Sequence, residues 1–161
     1  MNILFTGLRA VVYGTGFVAL WAWIGLGVRS YDRYIPIVMP GWTEPLGIVL
    51  LSMGGILALW CIGTFVLRGK GTPAPFDPPR EFVAAGPYRY VRNPMYAGGW
   101  VAVVGFGLYE NSISIILFSL VWLLLAHLLV YFVEEPGLEN RFGDSYREYM
   151  RSVNRWIPRG H

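Results

Sequence analysis

The chain has 161 residues, 55% hydrophobic and 14% charged, and its one lysine and twelve arginines stand against ten acids for a net charge of +3. Soluble domains carry roughly a quarter charged residues, so this composition, with a mean hydropathy of +0.46, excludes an ordinary soluble domain and is unsuited to binding nucleic acid. The small basic surplus instead suits flanks that face anionic headgroups.

The first hydrophobic segment covers about residues 8–28. It is too long for a signal peptide and lacks a small-residue cleavage site, so it is expected to stay as a helix. GTGFVA at 14–19 matches a dinucleotide fingerprint by letters only, because no strand precedes it. In the loop at 29–44, Arg29 and Arg33 are balanced by Asp32 and Glu44. The second segment, about 46–67, contains Cys61, the one cysteine, so no internal disulfide can form. These two segments and a fourth at about 112–133 each offer about 21–22 residues, roughly 30 Å of helix and enough to cross the hydrocarbon. The third, about 94–109, reaches only roughly 24 Å. It crosses only where the bilayer thins or protein buries its ends. Glu110 and Asn111 leave room for a tight turn, so the last two segments are expected to form a helical hairpin. Glycines punctuate the segments, among them Gly14, Gly54, Gly98 and Gly105, and small residues let transmembrane helices approach closely. The expected fold is all-α: a single polytopic membrane domain over residues 1–161, with four transmembrane helices and a cytoplasmic tail at 134–161.

Charge sets the expected orientation. The second loop carries Arg68, Lys70, Arg80, Arg89 and Arg92, and the tail Arg141, Arg147, Arg151, Arg155 and Arg159. The positive-inside rule puts both, and with four crossings both termini, in the cytoplasm. Residues 69–79 (GKGTPAPFDPP) hold four prolines and are expected to run extended over the membrane surface. In the tail, Leu138, Phe142, Tyr146, Tyr149, Val153 and Ile157 recur at steps of three or four, the pattern of an amphipathic helix that lies on the membrane or closes the cytoplasmic mouth as a lid.

The chemistry-bearing residues cluster at the cytoplasmic ends. Asn93-Pro94 reads as a helix start, Asn as N-cap and Pro at the first helical position, whose free N–H groups attract an anion. Arg89 and Arg92 adjoin it, either for that anion or for lipid headgroups. Gly86-Pro87-Tyr88 reads as a tight turn. Tyr88, Tyr90 and Tyr96 offer faces to a cation or form an interfacial aromatic belt. Glu134-Glu135, at the end of the last hydrophobic helix, places negative charge where the helix dipole disfavours it. Solvent, the tail arginines Arg147, Arg151 and Arg155, or a bound cation would compensate. His127 sits inside the fourth segment, where an ionisable residue is a functional candidate; it is read as a packing and hydrogen-bonding residue outside the site. Cys61, His127 and His161 make no metal-ligand set.

Taken together, GPYRYVRNPMYAGGW at 86–100 and EEPGLENRFGDSYREYMRSVNRWIP at 134–158 resemble the two signature stretches of the isoprenylcysteine carboxyl methyltransferase and phospholipid methyltransferase family of integral-membrane enzymes. The resemblance covers about the second half of the chain. It implies S-adenosylmethionine in a cytoplasm-facing pocket between the last helices and the tail, and a lipophilic methyl acceptor reached through the membrane: a lipid, isoprenoid or small lipophile offering a carboxylate or amine. By motif, the implied cofactor residues are Gly86, Pro87, Tyr88, Arg92, Asn93, Pro94, Tyr96, Glu134, Glu135, Tyr146 and Tyr149. Arg92, Glu135 and Arg155 are the expected catalytic set, the arginines orienting anionic groups and Glu135 compensating the sulfonium or accepting a proton. Many members carry His where this chain has Asn93, and Asn cannot titrate near neutral pH, so no histidine base is available there. An NADPH-dependent reductase of the sterol reductase type and a non-catalytic membrane subunit are the competing readings.

Overall fold

A computed structural model describes residues 3–35, 37–72 and 79–159, which are helices and connections with no strand among them. The extended course expected for the proline-rich loop falls on residues 73–78, and His161 on the terminus; both lie outside the described residues.

α1 (Ile3–Arg29) runs into a short 3-10 turn at Ser30–Tyr34, and α2 (Thr43–Thr64) into a π-helical turn at Phe65–Gly69. α3 (Pro94–Tyr109) and α4 (Ile113–Leu129) form the expected hairpin. Ser112 Oγ caps α4 by accepting from Ile115 N at 3.2 Å. Three helical stretches among the described residues are long and apolar enough to cross a membrane: Leu4–Tyr34, Thr43–Gly69 and Ile113–Phe142. The sixteen-residue α3 is shorter and packs most extensively on α2.

The bundle is apolar outside, and its interior mixes small and polar residues with a few large apolar ones such as Ile115, Trp122 and Val130. Leu4, Trp23, Leu59 and Phe132 point outward, while Thr6, Thr43, Gly47, Gly54, Gly98, Gly105 and Ser119 are buried. Lipid tails reward no burial of leucine, so close backbone packing replaces it. A Cβ on Gly47 would stand 2.5 Å from Tyr109 N, and one on Gly98 3.1 Å from Gly54 O. α2 and α3 therefore touch backbone to backbone.

The two ends of the bundle differ. At one end, Arg29 pairs with Glu110 at 2.5 Å, Asp32 Oδ1 accepts from Ser114 N at 2.9 Å, and Asn111 Oδ1 accepts from Met39 N at 3.0 Å. At the other, the segment 79–93 meets the tail. The helix does not stop at Glu134. α4 continues through a π-helical turn (Val130–Glu134) into α5 (Glu135–Phe142). Pro136 cannot donate a backbone hydrogen bond, and the wider turn just before it absorbs that loss. The acidic pair thus lies at a widened turn within a continuing helix, not at the helix end expected from sequence.

The tail also differs from expectation. In place of one amphipathic helix, α5 and α6 (Asp144–Ser152) are separated by Gly143 at φ +57, in the left-handed region that glycine tolerates. Arg147 spans the break, bonding Glu139 at 2.7 Å and Asp144 at 2.9 Å. After α6 the chain is extended at Val153 (φ −122, ψ 129), and Ile157 is exposed.

Candidate active site

Asn154–Trp156, an irregular segment after α6, is clipped onto the start of α3. Arg92 N donates to Asn154 O at 2.9 Å and Asn93 N to Arg155 O at 3.3 Å. Asn93 sits at the N-cap position, but its side chain makes no capping bond; its Nδ2 donates to Arg155 O at 3.4 Å instead. Clipping places two arginines on one carboxylate. Arg155 grips Glu135 with two bonds, Nε to Oε1 at 2.9 Å and Nη2 to Oε2 at 2.6 Å, while Arg92 Nη2 lies 3.1 Å from Oε1. The side chains of Arg92 and Glu135 are each 10% exposed. Two guanidiniums and one carboxylate leave the triad with a net positive charge, and the hydrogen bonds to Glu135 raise Arg155 further above its ordinary pKa.

Glu134, adjacent in sequence, has a different partner. It accepts from the Tyr96 hydroxyl of α3. Consecutive helical residues point roughly 100° apart, so one carboxylate faces the arginines and the other faces α3.

Aromatic residues complete the site. Phe82 packs edge-on against Tyr149 at 5.1 Å and Tyr146 at 5.8 Å, Tyr88 packs on Phe65 at 5.1 Å, and Tyr149 Oη donates to Tyr88 O at 2.5 Å. Burial holds the phenols of Tyr88, Tyr146 and Tyr149 above their ordinary pKa, so all three stay protonated donors.

Of the residues singled out from sequence, Tyr88, Arg92, Asn93, Glu134, Glu135, Tyr146 and Tyr149 line one cavity. Arg155 and Tyr96 act on it through Glu135 and Glu134. Pro87 is buried in the turn beneath Tyr88, and Pro94 begins α3. Gly86 lies apart, at φ +57 on a second groove of about 310 Å³ beside Trp60, Thr64 and Arg68. Sequence reasoning missed Phe65, Phe82 and Val83, which also line the cavity. The Phe82-Val83 pair was the available signal: two adjacent large apolar residues just after Arg80-Glu81 need a surface to cover.

Arg92 Nε is buried with no hydrogen-bond partner among the described residues, on a side chain that lines the cavity. An orphaned donor on a net-positive cluster fits an anionic group such as the carboxylate of S-adenosylmethionine, and the aromatic wall fits a flat heterocycle. The cavity itself is about 50 Å³, against the roughly 300–1,000 Å³ of ligand pockets. The donors and the wall suit parts of a nucleoside cofactor, while the cavity with the tail docked is too small to enclose one.

The comparisons with known proteins fall on these same elements. The family profile described as phospholipid methyltransferase matches residues 42–145, from the start of α2 into α6, with α1 outside it. A protein-S-isoprenylcysteine O-methyltransferase of Schizosaccharomyces pombe is 40% identical over 78 residues, 47% of this chain and 32% of that protein. The nickel-cobalt-cadmium resistance protein NccN of Alcaligenes xylosoxydans xylosoxydans is 26% identical over 114 residues, 71% of this chain and 49% of its own length. A phosphatidylethanolamine N-methyltransferase of Yarrowia lipolytica is 28% identical over 111 residues, 69% of this chain and 10% of the relative. The chain thus spans at most about half the length of these relatives. The matched stretch runs through more than half of the chain and carries the Tyr88–Tyr96 turn, the helical hairpin and the acidic pair, and on that ground the protein belongs to the phospholipid methyltransferase family.

Proposed function

We propose that this chain transfers a methyl group from S-adenosylmethionine to a lipophilic acceptor at the cytoplasmic face of a membrane, which it crosses four times with both termini in the cytoplasm. The observation that carries the reading is the buried, unpartnered Nε of Arg92 on a net-positive triad beside an aromatic-walled cavity. The topology draws support from the two ends of the bundle: the second loop and the tail meet at one, and the connections at 30–39 and 110–112 at the other, as an even number of crossings requires. α3, short for a bilayer, packs against α2 and α4, so protein rather than lipid shields it.

When bound, the cofactor supplies a methyl group made electrophilic by its sulfonium. The protein's task is then to hold nucleophile and methyl in line. Arg92 offers its free Nε to an anionic group, and Arg155 keeps Glu135 from turning away. Glu135 has both oxygens taken by guanidinium groups, which makes it a fixed counter-charge rather than a proton acceptor. Glu134 has only the Tyr96 hydroxyl among the described residues. It is the carboxylate free to face a sulfonium or take the proton of an amine nucleophile; a carboxylate acceptor needs no base. The acceptor approaches from the bilayer, and its class is a lipid, isoprenoid or small lipophile.

Calorimetric titration of the detergent-purified protein with S-adenosylhomocysteine, beside NADPH, tests the reading. Saturable binding of S-adenosylhomocysteine that Arg92→Ala and Glu135→Gln each weaken supports it. Binding of NADPH alone points to a reductase, and silence with both in a folded protein points to a non-catalytic subunit.

A further inference from the structure

Asn154–Trp156 has no regular structure of its own, since α6 has ended and Val153 is extended. What side chains hold it therefore decides where Arg155 goes. Arg155 is fixed on Glu135, and its guanidinium lies 5.0 Å over the Tyr131 ring. The next residue has its own anchor: Trp156 Nε1 donates to His127 Nδ1 at 3.0 Å. The His127 ring stacks on Tyr131 at 6.3 Å and 15°, so Tyr131 joins the two contacts into one surface on α4 and the turn that follows. Neither His127 nor Trp156 lines the cavity. An indole with one apolar face and one N–H suits an anchor at a membrane interface, and only an imidazole with an unprotonated Nδ1 can accept its bond.

We propose that His127 and Trp156 are positioning residues: their hydrogen bond places the tail segment so that Arg155 meets Glu135 and closes the cofactor cavity. The proposal rests on the methyltransferase reading for its consequence, but not for its geometry. That geometry has a direct reporter, because the amides of Arg92 and Asn93 are bonded to the carbonyls of Asn154 and Arg155 and are shielded only while the segment is docked.

The test compares His127→Leu, His127→Asn, Trp156→Phe and the double variant His127→Leu/Trp156→Phe in the full-length protein. Deuterium exchange at Arg92 and Asn93 is read without ligand, and S-adenosylhomocysteine affinity by calorimetry. His127→Leu and Trp156→Phe are each expected to speed exchange at these two amides about tenfold and weaken binding about tenfold, the effect of losing one half-buried hydrogen bond. The double variant is expected to be no worse than either single one, because both remove the same bond. His127→Asn presents an acceptor oxygen near the place of Nδ1 and is expected to restore both readouts. Exchange unchanged in His127→Leu, faster exchange spread through α3, or failure of His127→Asn to restore it would each overturn the proposal. If the unsubstituted protein binds no S-adenosylhomocysteine, the cofactor reading falls while the exchange measurement still decides the anchor.

Discussion

Glu135 is held by three bonds from two arginines and Glu134 by one phenol, and that asymmetry gives the two carboxylates different expected phenotypes. Glu135→Gln leaves two guanidiniums facing each other with little solvent. It is expected to cost about 3 kcal/mol, in the range for breaking a buried pair, measured as a fall in unfolding temperature, and to weaken S-adenosylhomocysteine binding with it. Glu134→Gln keeps an acceptor for Tyr96 and is expected to change stability by less than about 1 kcal/mol. Its effect should fall on turnover with an amine acceptor and on affinity for the sulfonium of S-adenosylmethionine, seen as a loss of kcat at unchanged binding of S-adenosylhomocysteine, which carries no sulfonium. From the sequence, the Glu-Glu pair reads as one acidic feature with interchangeable partners. Which oxygen meets which neighbour depends on helix rotation through a π-helical turn, and Pro136 marks a disturbance there without fixing that rotation. Arg92, Asn93, Tyr146 and Tyr149 were legible because two motifs carry them. Phe65 was not, because its partner Tyr88 lies across a loop whose course the sequence does not give, and Phe82 was legible only as an apolar residue in need of cover, which the folded tail supplies.

At the scale of elements, hydrophobic run length located all four long helices. The third is the most instructive: its boundaries at Pro94 and Tyr109 follow from a proline at the start and a polar pair after the end. Glycine content foretold close packing without showing which glycines touch. Gly54 and Gly55 separate the cases. A Cβ on Gly54 would drive into the backbone of α3 at Gly98 and Ala102, whereas one on Gly55 meets nothing within 4 Å. Gly54→Ala is expected to destabilise the protein by about 1–3 kcal/mol, as overpacking does, and Gly55→Ala to stay within about 0.5 kcal/mol; thermal unfolding of the two in the same detergent compares them. Gly86 is constrained twice over, by φ +57 and by Thr64 Oγ1 at 2.9 Å from its absent Cβ. Gly86→Ala should therefore displace the Pro87–Tyr88 turn and lower cofactor affinity although Gly86 does not line the cavity. The tail exposed the limit of periodicity. Six apolar residues at helical spacing predict one helix, but Gly143 breaks it and Val153 and Ile157 fall beyond it.

For the whole molecule, the proposed topology predicts which surfaces a membrane-impermeant reagent reaches. In a Cys61→Ser background, a cysteine at Trp42, exposed in the first connection, is expected to react from outside intact cells. A cysteine at Glu148, exposed on α6, is expected to react only after the membrane is opened. The reverse pattern, or both sites reacting in intact cells, contradicts four crossings with cytoplasmic termini. The contacts at the end remote from the cavity bear on how such a bundle moves. Arg29–Glu110, Asp32–Ser114 and Asn111–Met39 tie α1, its following turn and the hairpin together there, whereas the cavity end is tied by the tail segment at Asn154–Trp156. With α2 and α3 locked backbone to backbone, a bundle held at one tip and strapped at the other would, on release of the strap, open like tweezers between its remaining helices. A rod the length of α3, roughly 24 Å, tilted by about 5° about the hinged tip sweeps its far end through roughly 2 Å. Under the proposed function, any such gap would be widest beside the cavity and narrowest at the fixed tip, so a lipophilic acceptor would find its opening at the depth of the cavity.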